Sequence, residues 1–216
     1  WVKEMNPDVN VVWVSEELPS QPEEDPDFWD IWRRAILKYA PRPDVIFSSE
    51  DYGYKLAEAL GCVHVCVDPK RERYHISGAE VRADPYKWWD FIPPPVRAYY
   101  AKRVCIVGPE STGKTTLAVA LAEQLNTVWV PEYAVGYLEN GNSDLKSTED
   151  IEKIGRGQME SEDDSARRAN RIVICDTDLM TTAIWSSHYF GGCPEWIVEE
   201  SWARKYDLCL LTDIDI

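Results

Sequence analysis

Hydrophobic and polar positions follow one another along this chain as short apolar runs alternating with longer stretches of helical spacing. In the first half, 10-NVVWVSE-16 predicts a strand, 27-DFWDIWRRAILKYA-40 a helix, 44-DVIFSSE-50 a strand, 52-YGYKLAEALG-61 a helix closed by glycine, and 63-VHVCVD-68 a strand. This succession is βαβαβ, and strands that are apolar at nearly every position suit a parallel sheet covered on both faces. Ser77 and Glu80 then have the spacing of a capping box and predict a helix start. The three consecutive prolines Pro93, Pro94 and Pro95 are expected to stop any helix and stiffen a connection. These signals divide the chain into domains 1–97 and 98–216.

The second half begins again with a strand over 103–107, followed by a helix from Lys114 to about Leu125 with Leu117, Leu121 and Leu125 on one face. Further strands are predicted at 127–131, 171–176 and 207–212, with an acidic, polar helical stretch between about 148 and 170. The fold class expected is α/β, with two doubly wound parallel-sheet domains. Trp88, Trp89 and Phe91 cluster near the boundary, where packing at the domain junction is favoured over flanking a ligand ring.

Composition narrows the function classes. A hydrophobic content of 44% supports a substantial core. The formal net charge of -15 comes from an excess of acidic residues in both halves, so neither offers the basic field that nonspecific nucleic-acid binding requires. No run approaches the roughly 18 apolar residues of a membrane span, and residues 1–10 lack a secretory pattern. A soluble, cytoplasmic protein without membrane insertion is expected. Because the chain starts at Trp1 and stops within the apolar run 208-LCLLTDIDI-216, it reads as a fragment of a longer protein. Six scattered cysteines read as buried small hydrophobes. Among them, Cys62, His64 and Cys66 would share one face of a strand, but the outer two would stand about 13 Å apart, too far for one metal ion.

The chemistry concentrates in a few motifs. Gly108-Pro109-Glu110-Ser111-Thr112-Gly113-Lys114-Thr115 fits GxxxxGK[ST] at every position, with Thr116 following. In such a loop backbone N–H groups close around phosphate oxygens, the lysine reaches the terminal phosphates, and the threonine hydroxyl ligates magnesium at a helix N-terminus. At 172-IVICDTD-178 an apolar strand ends in two aspartates: Asp176 is expected to hold magnesium, and Asp178 to approach the substrate or the ion. Glu132 follows the next strand at the carboxyl edge of the sheet, where it could deprotonate a substrate hydroxyl. In the first half, Ser77 and Arg82 could bind a phosphate chain, although a plain capping box explains Ser77 as well.

The order ISGAEVR (76–82), DPYKWWDFIPPPVRAYYAKRV (84–104), GPESTGKTT (108–116), PEYA (131–134) and DTDLMTT (176–182) resembles the NadR-type bifunctional enzymes. These join a nicotinamide mononucleotide adenylyltransferase to a ribosylnicotinamide kinase. The resemblance implies a partial adenylyltransferase domain before about residue 97 and a kinase domain after it, acting in NAD salvage. It implies ATP and magnesium as cofactors, and nicotinamide riboside and nicotinamide mononucleotide as small-molecule substrates. It assigns Ser77 and Arg82 to ATP phosphates in the adenylyltransferase site, where Ala79 stands at the family's usual threonine. In the kinase site it assigns the loop from Gly108 to Thr116 to ATP, Thr115 and Asp176 to the metal, and Lys114, Glu132 and Asp178 to catalysis. The three histidines, His64, His75 and His188, do not form the family's HxGH-type element. Phosphorylation of another nucleoside or small alcohol, and nucleotide sensing without turnover, remain alternatives, and assembly into a homo-oligomer is open.

Overall fold

Two parallel sheets carry the chain, one in each of two units spanning residues 1–80 and 81–216. The structure, a computed structural model, describes residues 2–50, 52–139, 145 and 147–214. In the first unit, α1 (Val2–Met5) and α2 (Phe28–Tyr39) precede β1 (Val45–Ser48), α3 (Gly53–Leu60) and β2 (Val63–Cys66). Strands β1 and β2 pair in parallel, Val45 opposite Val63. Gly61 closes α3 in the left-handed conformation that glycine adopts without steric cost. His64 is part of this packing: its Nε2 lies 2.9 Å from Ser48 Oγ, against the N-terminus of α3.

One expected strand is absent. Residues 10–16 form neither helix nor strand, and Trp13 is 87% exposed. An apolar run becomes a strand only when a neighbour takes up its N–H and C=O groups, and among the described residues none pairs with this one. The first unit is therefore βαβ where βαβαβ was expected. At its end Ser77 and Glu80 make the predicted capping box, each side chain bonding the other's backbone N–H, and open α4 (Gly78–Ala83).

The second unit contains a 3-10 turn at Trp89–Phe91, then α5 (Pro94–Tyr100), β3 (Lys102–Val107), α6 (Lys114–Gln124), β4 (Val128–Val130) and α7 (Tyr133–Glu139). It continues with α8 (Thr148–Arg168), β5 (Ile172–Asp176), α9 (Leu179–Phe190), α10 (Glu195–Ala203) and β6 (Leu208–Leu211). The proline run starts a helix where it was expected to stop one. Pro94 occupies the first helical position, where its missing N–H costs nothing and its φ is already helical. Trp89 is buried, stacking on Tyr86 with Arg97 over its ring.

The sheet order is β4-β5-β3-β6, all parallel. Alternate residues of β5 serve opposite layers. Val173 and Cys175 pack with Val130, Ala166 and Ala169 on the α8 side, whereas Ile174 packs with Ile106, Ala118 and Ala122 on the α6 side. Helices thus cover both faces, as a doubly wound sheet requires. The buried residues of α6 are Ala118 and Ala122, with Leu117 and Leu121 flanking them, while Leu125 lies beyond the helix and is exposed. Small side chains let α6 approach the sheet more closely than the expected leucine face would.

A charged cluster crosses the α8 layer. Glu162 is fully buried and accepts from Arg103 Nη1 and Arg204 Nε, each at 3.2 Å, and from Tyr206 Oη at 3.0 Å. Asp163 binds the outer nitrogens of the same two arginines at 2.8 and 2.6 Å. Because Glu162→Ala would leave two part-buried guanidinium groups without their inner partner, it should destabilise the protein by about 3–5 kcal/mol in urea unfolding. Asp163→Ala, at a half-exposed position, should cost under about 1 kcal/mol.

Candidate active site

The site grows from the end of β3. Gly108, at φ 151°, lies so close to Thr212 that a Cβ would come 2.2 Å from its Oγ1 and 2.7 Å from its backbone oxygen. Ser111 and Gly113 are both left-handed, at φ 60° and 83°, and turn the chain into α6. Thr112 fixes the loop from within: its Oγ1 donates to the Pro109 carbonyl at 2.8 Å and lies 2.6 Å from Thr212 Oγ1. The result is a ring of backbone at the start of α6, where the first N–H groups have no intrahelical acceptor and the helix dipole favours an anion. Lys114 Nζ donates to the Pro109 carbonyl at 2.8 Å, which holds the charge over the loop.

Parallel register places the second component. Asp176 ends β5 opposite Ile106 of β3, and its Oδ2 accepts from Thr115 Oγ1 at 2.6 Å. The carboxylate is buried, yet among the described residues its Oδ1 has no hydrogen-bond partner. A buried polar atom left unsatisfied beside a hydroxyl calls for an explanation, and a pair of hard oxygens facing a phosphate loop suits a divalent cation.

Asp178 was expected to approach the substrate or the metal. Its Oδ1 accepts from Thr181 N at 2.7 Å and Thr181 Oγ1 at 2.6 Å, making it the N-cap of α9. Thr177, left-handed at φ 78°, donates its N–H to the Ile106 carbonyl and turns the chain between the two aspartates. The capped helix supplies Thr181 and Trp185 to the wall of the cleft, residues the sequence reading did not single out. The spacing of Asp178 and Thr181, a cap followed by a polar residue three positions on, was the legible signal.

Glu132, between β4 and α7, lines the same cleft, whose volume is about 950 Å³ and whose floor is the loop from Gly108 to Thr116. Burial raises the Glu132 carboxyl above its ordinary value, and the charges of Asp176 and Glu110 raise it further, with Lys114 opposing. A smaller cavity of about 150 Å³ is also lined by Glu132, Thr181, Trp185 and Tyr189, the last two stacked at 5.5 Å between ring centroids. The structure therefore brings together the phosphate loop, Thr115 with Asp176, and Glu132. Ser77 is engaged in its capping box, and Arg82 stands exposed in the last turn of α4.

Comparison with known proteins places this geometry. The family model of an AAA domain matches residues 103–216. The chain is 33% identical over 196 residues to the trifunctional NAD biosynthesis/regulator protein NadR of Escherichia coli (strain K12), a match covering 87% of this chain and 48% of that protein. It is 31% identical to the NadR of Salmonella typhimurium, with the same coverage. The chain thus spans about half the length of the curated relatives it matches. A crystal structure of NadR in complex with NR superposes with a TM-score of 0.69 at 25% identity, over 97% of this chain and 64% of the other. One in complex with NAD and AMP-PNP has the same TM-score at 24% identity, over 97% of this chain and 65% of the other, and shows the likeness of fold. That model spans the chain from β3 onward, more than half of its length, and the chain belongs to the AAA-domain family.

Proposed function

We propose that this chain carries a kinase that transfers the γ-phosphoryl group of ATP to the 5′-hydroxyl of nicotinamide riboside, forming nicotinamide mononucleotide. The observation that carries the reading is the bond from Thr115 to Asp176 at the mouth of the phosphate loop, with Glu132 lining the same cleft. The NadR relatives, one of them solved with NR, support nicotinamide riboside as the acceptor. On this reading the first unit belongs to an adenylyltransferase domain, extending to about residue 97, that converts the mononucleotide to NAD, with Ser77 and Arg82 directed to ATP phosphates. The activity belongs to the cytoplasm, in keeping with six free thiols.

The N–H groups from Gly108 to Thr116 bind the phosphates, and Lys114 leaves the Pro109 carbonyl to stabilise charge on the transferred group. Thr115 Oγ1 and the unsatisfied Oδ1 of Asp176 would hold magnesium. Magnesium bound there would neutralise charge on the β- and γ-phosphate oxygens. Glu132 accepts the proton of the attacking hydroxyl as the new O–P bond forms and the bond to the β-phosphate oxygen breaks, releasing ADP. Its raised pKa suits it to that work. Asp178 acts through α9: as N-cap it fixes the helix that carries Thr181 and Trp185.

Incubation with Mg-ATP and nicotinamide riboside, with thymidine as a rival acceptor, should yield mononucleotide that is absent with Lys114→Ala. Product from thymidine alone would reassign the acceptor, and equal turnover by Lys114→Ala would overturn the site. For Glu132→Gln, kcat should fall by about 10²–10⁴-fold. The acid limb of the wild-type kcat/KM profile should lie above pH 4.5, the ordinary value for this side chain, because the base works only when ionised. A carboxyl whose pKa is raised by folding loses stability as pH climbs through the interval between its unfolded and folded values. Glu132→Gln should therefore melt no lower than the wild type at pH 7, whereas a marked drop in Tm would show a structural role.

A further inference from the structure

We propose that Gln158 is a positioning residue for this reaction, holding from α8 the peptide that joins Glu132 to Tyr133. The inference rests on the kinase reading above and adds a residue that does not line the cleft.

Tyr133 is the first residue of α7, so its N–H has no acceptor within that helix. Gln158 Oε1 supplies one at 2.9 Å. The N–H in question belongs to the Glu132–Tyr133 peptide, so fixing it fixes the backbone torsion that aims Glu132. An amide side chain could present either end, but here only one orientation is allowed. Gln158 is buried, and its Nε2 donates to Glu162 Oε1 at 3.3 Å. A carboxylate accepts and cannot donate, so the NH₂ must face Glu162 and the oxygen must face Tyr133. Glu162 in turn is held by Arg103, Arg204 and Tyr206 and cannot turn away.

A second observation on the neighbouring residue points to the same contact. A Cβ at Gly157 would lie 2.2 Å from the Tyr133 ring, so the absence of a side chain there lets the ring rest directly on α8. Gly157 seats the ring and Gln158 takes the N–H, and together they set the turn that follows β4. The buried charges beneath the sheet thus reach Glu132 through one turn of α8, from Glu162 to Gln158, and then one backbone bond.

The test is kinetic. Gln158→Leu keeps most of the volume and removes both hydrogen bonds. It should lower kcat by about 10- to 100-fold, as displacement of a reacting group does, while KM for ATP changes by less than about twofold. In the Glu132→Gln background the same change should cause no further loss of the residual rate. Wild-type kcat in a folded Gln158→Leu protein, or a loss that multiplies with that of Glu132→Gln, would overturn the proposal. Failure of the kinase reading is visible beforehand, as no turnover of any acceptor by the wild type, and would remove the positioning role with it. Should Gln158→Leu not fold, Tyr133→Pro against Tyr133→Ala decides the question. Both lose the ring, proline is tolerated at a first helical position, and only proline lacks the N–H. Equal kcat in the two overturns the proposal, and a further tenfold or so loss with proline supports it.

Discussion

The parallel pairing of β3 with β5 is the constraint on which the site depends. Parallel strands bring their carboxyl ends to the same edge, so the loop leaving β3 meets the aspartate that ends β5. The register sets Ile106 opposite Asp176, and a slip of one residue would turn Asp176 toward the other helical layer. What prevents the slip is the division of β5 between two cores. Ile174 is committed to Ala118 and Ala122, while Val173 and Cys175 are committed to the α8 side. The Thr115–Asp176 bond follows from this packing, since α6 must lie close to the sheet for Thr115 to reach.

The polar network in α8 shows a different economy. A fully buried carboxylate with two arginines and a tyrosine is an expensive way to fill a layer, because desolvation offsets much of the Coulombic gain. An apolar cluster of the same volume would fold as well. It could not present an oriented amide to the start of α7, and directional bonds are what the charged version adds. Tyr206 is part of the same arrangement, its hydroxyl pushed upward in pKa by burial and then by Glu162, so it remains a donor at any physiological pH.

The departures from expectation share one cause. Residues 10–16 have the composition of a strand, but strand formation depends on a neighbour and not on composition. Pro94 has the composition of a helix breaker, but the first helical position has no N–H bond to lose. Leu125 continues the leucine spacing of α6, but the helix ends at Gln124 and the residue falls outside it. In each case the local preference is real, and its use is decided by what stands beside it.

Much of the second unit was nonetheless legible in the sequence, because its motifs are local. The glycines, lysine and threonine of the phosphate loop must be contiguous to wrap one phosphate chain, so their spacing alone announces the site. The apolar runs 104–107 of β3 and 172–175 of β5 were equally plain, because their side chains pack on both faces of the sheet. Tertiary structure decided that Asp176 keeps an unsatisfied oxygen beside Thr115, and that Gln158 stands behind Glu132. Those contacts join residues 25 to 61 positions apart. The physical reason is that hydrogen bonds between separate elements depend on register and helix approach, which leave no periodic trace along the chain.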